Sequence, residues 1–463
     1  MSSPLSNSTA ERDVESLIHP YTNLKTHLQR GPLVISRGEG VKVYGEDGTE
    51  YYEAMSGLWC TSLGWSEKRL VKAATDAMEK LAFYHTFTHK VADVTVDLAE
   101  KLLDMAPVKM GKVLFANSGS EAVDTSVKLV WYINNARGRP QKKKIIARQK
   151  AYHGVTVAGA SLTGLAPCQN DFDVPIAGIL HTACPHYYRF GEDGESEEQF
   201  ATRMADELEQ LILAEGPDTV AAMFAEPVMG AGGVIVPPAT YFDKIQAVLK
   251  KYDVLLIADE VICGFGRTGN MWGSETYDIK PDMMTMAKAL SSAYLPISAL
   301  MVSDEIFADM VKQSEKLGVF GHGYTYGGHP VACAVALETL KIYEERDIVG
   351  QVQAIAPTFQ AGLQAFANHP LVGEVRGVGL VGAVELVKDK ATKESFEPAL
   401  GVGAMTVNFM QNNGVIGRAM GDSLAFSPPL IISEAEIGEM LSRFGKALDE
   451  TLEWLKSEGH FAQ

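Results

Sequence analysis

Residues 254–270 read VLLIADEVICGFGRTGN, an aliphatic run that ends abruptly in two acids. Such a run is typical of a strand buried on both faces of a parallel sheet. Asp259 and Glu260 come directly after it, and the glycines at 264, 266 and 269 then indicate a loop. Because ligands of parallel sheets bind at the carboxyl ends of the strands, an acid here indicates a binding site.

Short apolar segments alternate with helical patterns on both sides of this stretch. The segments are VLFA at 113–116, KIIAR at 144–148, AAMFAEPV at 221–228, VLLIAD at 254–259 and MMTMAK at 283–288. Helical spacing near 120–136 and 239–252 falls between them. Strand–helix alternation over about 200 residues predicts an α/β fold with a mostly parallel, doubly wound sheet.

The flanking regions have other patterns. Residues 33–57 alternate between apolar and polar around an Asp47-Gly48 turn signal, which predicts an antiparallel meander. A long helical pattern from 331 leads to a β-ribbon at 375–387. We therefore predict three parts, with the first joining the third: an arm and meander (1–60), a large domain (61–330) and a smaller α+β domain (331–463) built from both termini.

Composition excludes several classes of function. The chain has 463 residues, 46% hydrophobic and 21% charged, which indicates a globular protein with large cores. A net charge of −17 argues against a nucleic-acid partner. The basic cluster at 142–144 is interpreted as a solvated strand entrance. No apolar run approaches the roughly 20 residues of a membrane span, so we expect no membrane partner.

Five scattered cysteines form no C-x-x-C pair and no Cys/His pattern, so no metal site is predicted. Their odd number and wide spacing suit a reducing cytoplasm. The polar N-terminus has no apolar segment of the signal-peptide kind. We therefore expect a cytoplasmic protein.

Lys288 follows the apolar run MMTMA, where an ammonium group without a partner would be costly. A desolvated lysine has a lowered pKa and is a good Schiff-base nucleophile. Asp259 ends a strand of the same predicted sheet. Pyridoxal phosphate needs both groups, since its pyridine nitrogen must stay protonated beside a carboxylate. The two strand ends together predict this cofactor.

The motifs ADEVICGFGRTG and DMMTMAKALSSAY resemble the signature of class III pyridoxal-phosphate aminotransferases. The resemblance runs from EAMSGLWC to LAFSPPL, nearly the whole chain, and is nearest to the ω-transaminases of the amine:pyruvate type. It implies a fold type I enzyme in which Lys288 and Asp259 are catalytic.

The resemblance also implies the residues that bind the cofactor. In ANSGSEAVDTSVKL, Gly119 and Ser120 would hold its phosphate at a helix N-terminus, although an ordinary serine cap would give the same pattern. Tyr152 would stack on the pyridine ring, with His153 in a structural hydrogen bond. Val261 or Ile262 would lie under the other face of the ring. Glu226 would lie near the cofactor or pair with a mobile arginine. Glu260 is interpreted as a member of a structural ion pair.

Substrate and subunit contacts are implied in the same way. Leu58, Trp59 and Phe87 would line an aromatic pocket for an apolar amine. Thr325, in GHGYTYGGHP, would reach the phosphate of the other subunit, which implies a homodimer with shared active sites, or a tetramer. The family's frequent serine is Gly327 here.

The carboxylate of a keto acid needs a cation. Branches that act on ornithine or γ-aminobutyrate commonly carry an arginine where this chain has Ala425. Arg418 matches instead the mobile arginine of amine:pyruvate enzymes, which can fork onto a carboxylate. A surface salt bridge is the alternative for this residue.

The predicted activity is transamination of primary amines, with ω-amines and aryl-alkyl amines as candidates and pyruvate as acceptor. Two alternatives stay open. One is another reaction on the same cofactor, a dialkylglycine-type decarboxylation or an aminomutase. The other is a non-enzymatic regulator on this fold, which would need a basic DNA-binding module that the short acidic arm does not offer.

Overall fold

A computed structural model describes residues 8–461, which contain fifteen strands and sixteen α-helices. The strands are β1 (Ile35–Glu39), β2 (Lys42–Gly45), β3 (Glu50–Glu53), β4 (Lys112–Ala116), β5 (Lys144–Arg148), β6 (Ile179–Thr182), β7 (Val220–Ala225), β8 (Leu255–Asp259), β9 (Met283–Met286), β10 (Ser298–Val302), β11 (Val372–Val378), β12 (Val381–Leu386), β13 (Val415–Ile416), β14 (Arg418–Met420) and β15 (Ser423–Phe426).

The helices are α1 (Thr9–Ser16), α2 (Leu24–Arg30), α3 (Ser56–Trp59), α4 (Lys68–Lys80), α5 (Asp93–Asp104), α6 (Gly119–Ala136), α7 (Val157–Leu162), α8 (Tyr187–Phe190), α9 (Glu197–Glu215), α10 (Tyr241–Lys251), α11 (Gly273–Thr276), α12 (Asp304–Leu317), α13 (Pro330–Glu345), α14 (Ile348–Gln364), α15 (Val402–Asn412) and α16 (Glu434–Ser457). None of the helices within residues 8–461 is long and apolar enough to cross a membrane.

The central sheet has seven strands in the order β4-β10-β9-β8-β7-β5-β6. The pairings from β9 to β6 are parallel, and only β10 runs against its two neighbours. The predicted α/β fold with a mostly parallel, doubly wound sheet is therefore confirmed. The sequence pattern missed β6 and β10.

Alternate residues of each central strand face opposite cores. Ile145 and Ala147 of β5 belong to the cluster that contains α6 and α12 residues, whereas Ile146 belongs to the cluster of α9 and α10. Both faces are covered by helices, which explains the uninterrupted apolar character of β7 and β8. Polar side chains of this sheet can therefore reach solvent or a ligand only at the strand ends.

Two four-stranded sheets flank the central one, with the orders β1-β2-β3-β13 and β11-β12-β15-β14. The Asp47-Gly48 turn joins β2 to β3, and Gly48 has a φ of +84° that suits glycine. Val415 of β13 pairs in parallel with Tyr52 of β3, so the N-terminal meander shares a sheet with a C-terminal strand. The division at residues 60 and 330 stays a prediction.

The lysines at 142–144 are not a solvated strand entrance, and that interpretation was wrong. Lys142 is only 4% exposed, and its Nζ donates to the Tyr252 carbonyl at 3.0 Å. Lys144 Nζ donates to Glu215 Oε2 at 2.7 Å. These lysines cap neighbouring carbonyl groups, which a run of like charges in the sequence does not reveal.

Candidate active site

The parallel strands β5, β7, β8 and β9 end at one edge of the central sheet, where they deliver the predicted polar residues. A cavity of about 130 Å³ lies at this edge. Its lining residues are Gly119, Ser120, Val123, Tyr152, His153, Gly154, Glu226, Asp259, Val261, Ile262, Ala287 and Lys288. The structure thus brings both predicted catalytic residues and six of the predicted cofactor residues to one cavity.

Asp259 is buried at the end of β8 and accepts three hydrogen bonds. His153 Nδ1 lies 2.7 Å from its Oδ2, while Thr285 Oγ1 and the Val261 N–H donate to its Oδ1 at 3.1 Å and 3.2 Å. Thr285 is the Cα partner of Asp259 on β9. These bonds fix the carboxylate at the wall of the cavity, where it can hold a proton on a ligand nitrogen.

Lys288 lies three residues beyond Thr285, at the other strand end. Its φ of +49° is in the left-handed region, which costs a non-glycine residue about 1–3 kcal/mol and is commonest at functional sites. Burial lowers the pKa of its ammonium group, although Asp259 raises it; Arg418 lowers it further. A lysine with a lowered pKa is closer to the neutral amine that attacks a carbonyl.

The N-terminus of α6 forms another wall. The first two N–H groups of this helix, those of Gly119 and Ser120, have no acceptor in the part of the chain that the structure describes. Gly154 packs over them at a φ of +112°, and a Cβ there would lie 2.4 Å from Ser120 Oγ. Free N–H groups at the start of an 18-residue helix suit an anionic group such as a phosphate.

Tyr152 and Glu226 are linked. The Tyr152 N–H donates to Glu226 Oε1 at 3.1 Å, and the Gly230 N–H donates to Oε2 at the same distance. Burial raises the pKa of Glu226. This carboxyl group therefore holds two loops at the cavity edge, and Arg418 is not its hydrogen-bond partner.

Glu260 turns away from the cavity, and its predicted ion pair was wrong. Its oxygens accept hydrogen bonds from the N–H of Gly273, and from the N–H and Oγ of Ser274, at 2.6–2.9 Å. The described residues offer it no cationic side chain within salt-bridge distance. Its function is to hold the start of α11, a role that the acidic pair in the sequence could not distinguish from an ion pair.

The remaining predicted residues do not line this cavity. Leu58 is 58% exposed, whereas Trp59 is 4% exposed and packs in a cluster with Ile262 and Ala425. Phe87 lines a separate cavity of about 850 Å³ beside the loop at 319–324, and Thr325 is exposed on the same loop. Their substrate and subunit roles stay predictions.

Arg418 and Ala425 are Cα partners on the antiparallel strands β14 and β15. The half-buried guanidinium of Arg418 has no hydrogen-bond or ion-pair partner within residues 8–461, and it acts electrostatically on Lys288. Within the described residues, an unpaired cation therefore lies near Lys288, and an alanine stands opposite it.

Sequence analysis missed Thr285 and Gly154. A threonine inside the otherwise apolar MMTMA run was the available signal for Thr285, because a buried hydroxyl needs a partner. Gly154 follows the predicted Tyr152-His153 pair, but only the fold shows that Ser120 approaches it. Val123 and Ala287 are apolar lining residues without a distinctive signal.

A desolvated lysine and a buried aspartate at neighbouring strand ends, beside an open helix N-terminus, define a pyridoxal-phosphate enzyme of fold type I. The family model "Aminotransferase class-III" matches residues 25–448, and the chain belongs to this family. Its cofactor is pyridoxal phosphate, and the donor set described above fits that group.

Curated relatives match nearly the whole length of the chain. It is 54% identical over 446 residues to "Gamma aminobutyrate transaminase 3, chloroplastic" of Solanum lycopersicum, covering 96% of this chain and 86% of the relative. It is 55% identical over 454 residues to "Gamma-aminobutyrate transaminase 1, mitochondrial" of Oryza sativa subsp. indica, covering 97% and 88%.

A solved structure is also similar throughout. An omega transaminase from Pseudomonas jessenii in complex with PMP superposes with a TM-score of 0.96 at 55% identity, covering 97% of this chain and 99% of that one. The neighbours thus include omega transaminases among structures and γ-aminobutyrate transaminases among curated sequences.

Proposed function

We propose that this aminotransferase transfers the amino group of primary amines, ω-amines and aryl-alkyl amines included, to pyruvate, giving alanine and a ketone or aldehyde. The observation that carries the proposal is Arg418, the unpaired cation that acts on Lys288. A guanidinium without a carboxylate partner can fork onto the carboxylate of a keto acid. When an apolar amine is bound, the same side chain is free to move away.

The solved neighbours support the amine side of the proposal. One variant of the Pseudomonas jessenii type, engineered for asymmetric synthesis of enantiopure bulky amines, replaces a tryptophan, a phenylalanine and an arginine. Trp59, Phe87 and Arg418 are the same residue types in the same order along this chain. A second neighbour is a transaminase with L-alanine, the product proposed here.

A second candidate donor is γ-aminobutyrate, because the curated relatives carry that name. Its carboxylate lies far from the amine, whereas that of pyruvate lies beside the reacting carbon. Because Ala425, and not a second arginine, lies opposite Arg418, Arg418 would have to bind the carboxylates of γ-aminobutyrate and of pyruvate in turn. This arrangement favours a broad donor range over a site fixed on one donor.

The residues of the cavity divide the reaction between them. When bound, pyridoxal phosphate supplies an electron sink conjugated to the substrate carbon. With the cofactor bound, the Nζ of Lys288 would remove the proton from the substrate carbon that bears the amine and would return it to the cofactor side of the transferred nitrogen. Asp259 would keep the pyridine nitrogen protonated, and His153 and Thr285 hold its carboxylate in place.

Separate half-reactions test the role of Arg418. The Arg418→Ala variant should convert 1-phenylethylamine to ketone at the rate of the wild type in a single turnover. Its KM for pyruvate should rise at least tenfold, since a charge-assisted bond is lost. Lys446→Ala, an exposed lysine on α16, is the matched control. An unchanged pyruvate KM in the Arg418 variant would reject the assignment.

A donor panel decides the substrate class. We expect alanine from pyruvate with 1-phenylethylamine, putrescine and γ-aminobutyrate, and ping-pong kinetics with each. Activity with γ-aminobutyrate alone would contradict the broad range. Release of carbon dioxide from a dialkylglycine donor would favour the alternative decarboxylase reaction, and an amino group moved within one substrate would favour an aminomutase.

We further propose a homodimer with shared active sites. Phe87 and the loop that carries Thr325 surround a large, mostly apolar cavity outside the catalytic one, which supports contact with a second copy. The five free cysteines support a cytoplasmic location. Sedimentation of the holoenzyme at micromolar concentration should give twice the chain mass or a multiple of it.

A further inference from the structure

Asp13, His19 and His27 form a compact cluster in the N-terminal segment, away from the catalytic cavity. Asp13 lies in α1, His19 in the turn after it and His27 in α2. The His19 Nε2 atom lies 2.9 Å from Asp13 Oδ1, and the His27 Nε2 atom lies 3.0 Å from Asp13 Oδ2. Two imidazoles and one carboxylate therefore meet within a segment of fifteen residues that contains the end of α1 and the start of α2.

The geometry points to a site for a divalent first-row transition-metal ion, of which Zn²⁺ is the natural representative, bound by His19 Nε2, His27 Nε2 and an oxygen of Asp13. The three ligand atoms lie within 4.8 Å of one another. Metal–nitrogen and metal–oxygen bonds of about 2.0–2.2 Å need ligand separations of this order. The rings of His19 and His27 are stacked with their centroids 4.1 Å apart, so binding requires the rings to rotate until both nitrogens point at the ion.

The donor set selects the class of metal. Imidazole nitrogens suit Zn²⁺, Cu²⁺, Ni²⁺ and Fe²⁺, whereas Ca²⁺ and Mg²⁺ prefer sites made only of oxygen ligands. Three protein ligands leave at least one position for water.

The second cluster of this kind, His186 with Glu374 and Glu385, serves as a contrast. Arg376 Nη1 donates to both of those carboxylates, so a cation already occupies the centre of that cluster. Among the described residues no Arg or Lys forms an ion pair with Asp13. Of the two clusters that the described residues form, only the N-terminal one therefore lacks a neighbouring cation that would repel a metal ion.

The site is linked to the catalytic cavity through Tyr21, which lies between the two histidines. Its hydroxyl is 3.4 Å from the Tyr152 hydroxyl and 3.5 Å from Cys168 Sγ. Tyr21 has a φ of +53°, a strained conformation that the surrounding segment must hold. A metal ion that joins α1, the turn and α2 would stabilise this conformation.

Titration of the untagged, full-length holoenzyme with Co²⁺ tests the proposal. Visible d–d absorption should saturate at one Co²⁺ per chain, and Zn²⁺ but not Mg²⁺ should displace it. His19→Ala, His27→Ala and Asp13→Asn should each weaken binding at least tenfold. His460→Ala, an exposed histidine near the other end of the chain, should leave it unchanged.

Thermal melting gives a second readout. The change in apparent Tm on adding Zn²⁺ is measured within each variant, so a variant that is less stable without metal can still be compared. Zn²⁺ at 100 times its dissociation constant should raise the apparent Tm of the wild type and not that of the His19 variant. Absence of Co²⁺ absorption in the wild type, or equal affinity in wild type and all three variants, would overturn the site. Because the readouts are spectroscopic and thermal, failure of the proposed transaminase activity would not alter them.

Discussion

His153 Nδ1 lies 2.7 Å from Asp259 Oδ2, and both side chains are buried. The other ring nitrogen, Nε2, has no hydrogen-bond partner among the residues that the structure describes. Among the described residues, the hydrogen bonding of the imidazole is thus a single contact with Asp259, the carboxylate that would keep the cofactor nitrogen protonated. This makes His153 a positioning residue, since it acts on the reaction only through Asp259.

Replacing His153 should leave Asp259 in place but remove one of the hydrogen bonds that fix its carboxylate. His153→Ala should lower kcat at least tenfold and weaken cofactor binding, because a buried hydrogen bond to a charged group contributes about 1.5–3 kcal/mol. His153→Asn keeps a donor near the position of Nδ1 and should restore much of both. Absorbance titration of the apoenzyme with pyridoxal phosphate measures the affinity. Loss of thermal stability with unchanged cofactor affinity would indicate a role in packing alone.

Replacement of Lys288, the proposed nucleophile, should abolish activity. Lys288→Ala should have no measurable turnover and should lack the absorbance of the covalently held cofactor, because no other lysine lines the cavity. Lys446→Ala should retain both signals. Full activity in the Lys288 variant would remove the basis of the catalytic assignment.

Sequence reasoning located the site because strand-end residues are specified locally. Asp259 and Lys288 each follow an apolar run, and the shared direction of β8 and β9 brings them to one edge. Contacts between distant segments were not accessible in this way. Arg376 bonds to Gly233, Glu374 and Glu385. The local sequence VRGVGLVGAVELV does not indicate these contacts. The strand β10 was missed although ISALMV is apolar enough for a buried strand, and nothing in those residues indicates that it runs antiparallel to β4 and β9.

The Arg376 network predicts a large effect on stability. Arg376 Nη1 bonds to Glu374 and Glu385, and Arg189 also bonds to Glu385. Although burial raises the pKa of Glu385, the charges of Arg376, His186 and Arg189 hold it at about 2. Arg376→Gln would remove the one cation that bonds to both carboxylates and would leave the buried Glu385 with Arg189 as its only arginine partner among the described residues.

Breaking a buried pair from one side costs about 3–5 kcal/mol, so the Arg376 variant should lose several degrees of apparent Tm at pH 7. Arg443→Gln, whose partner Glu439 is exposed, should change it by less than 1 kcal/mol. Differential scanning calorimetry of both variants makes the comparison. Equal melting temperatures would mean that the network contributes no net stability.

Glu260 predicts a dependence of stability on pH. Burial raises the pKa of this carboxyl group from 4.5 to about 7, despite three hydrogen bonds that lower it. Between these values the folded chain binds more protons than the unfolded chain. The contribution of Glu260 to the free energy of unfolding therefore falls as the pH rises through this window, and stays constant above it.

A glutamine at this position does not titrate, so wild type and Glu260→Gln should diverge with pH. The free energy of unfolding of the wild type, relative to the variant, should fall by up to about 3 kcal/mol between pH 5 and pH 8. Apparent Tm values at intervals of half a pH unit measure this trend. Glu275→Gln, an exposed site on α11, the helix whose start Glu260 holds, should keep the trend of the wild type throughout. A constant difference between wild type and Glu260→Gln would mean that three donors keep the buried carboxylate ionised at all these pH values.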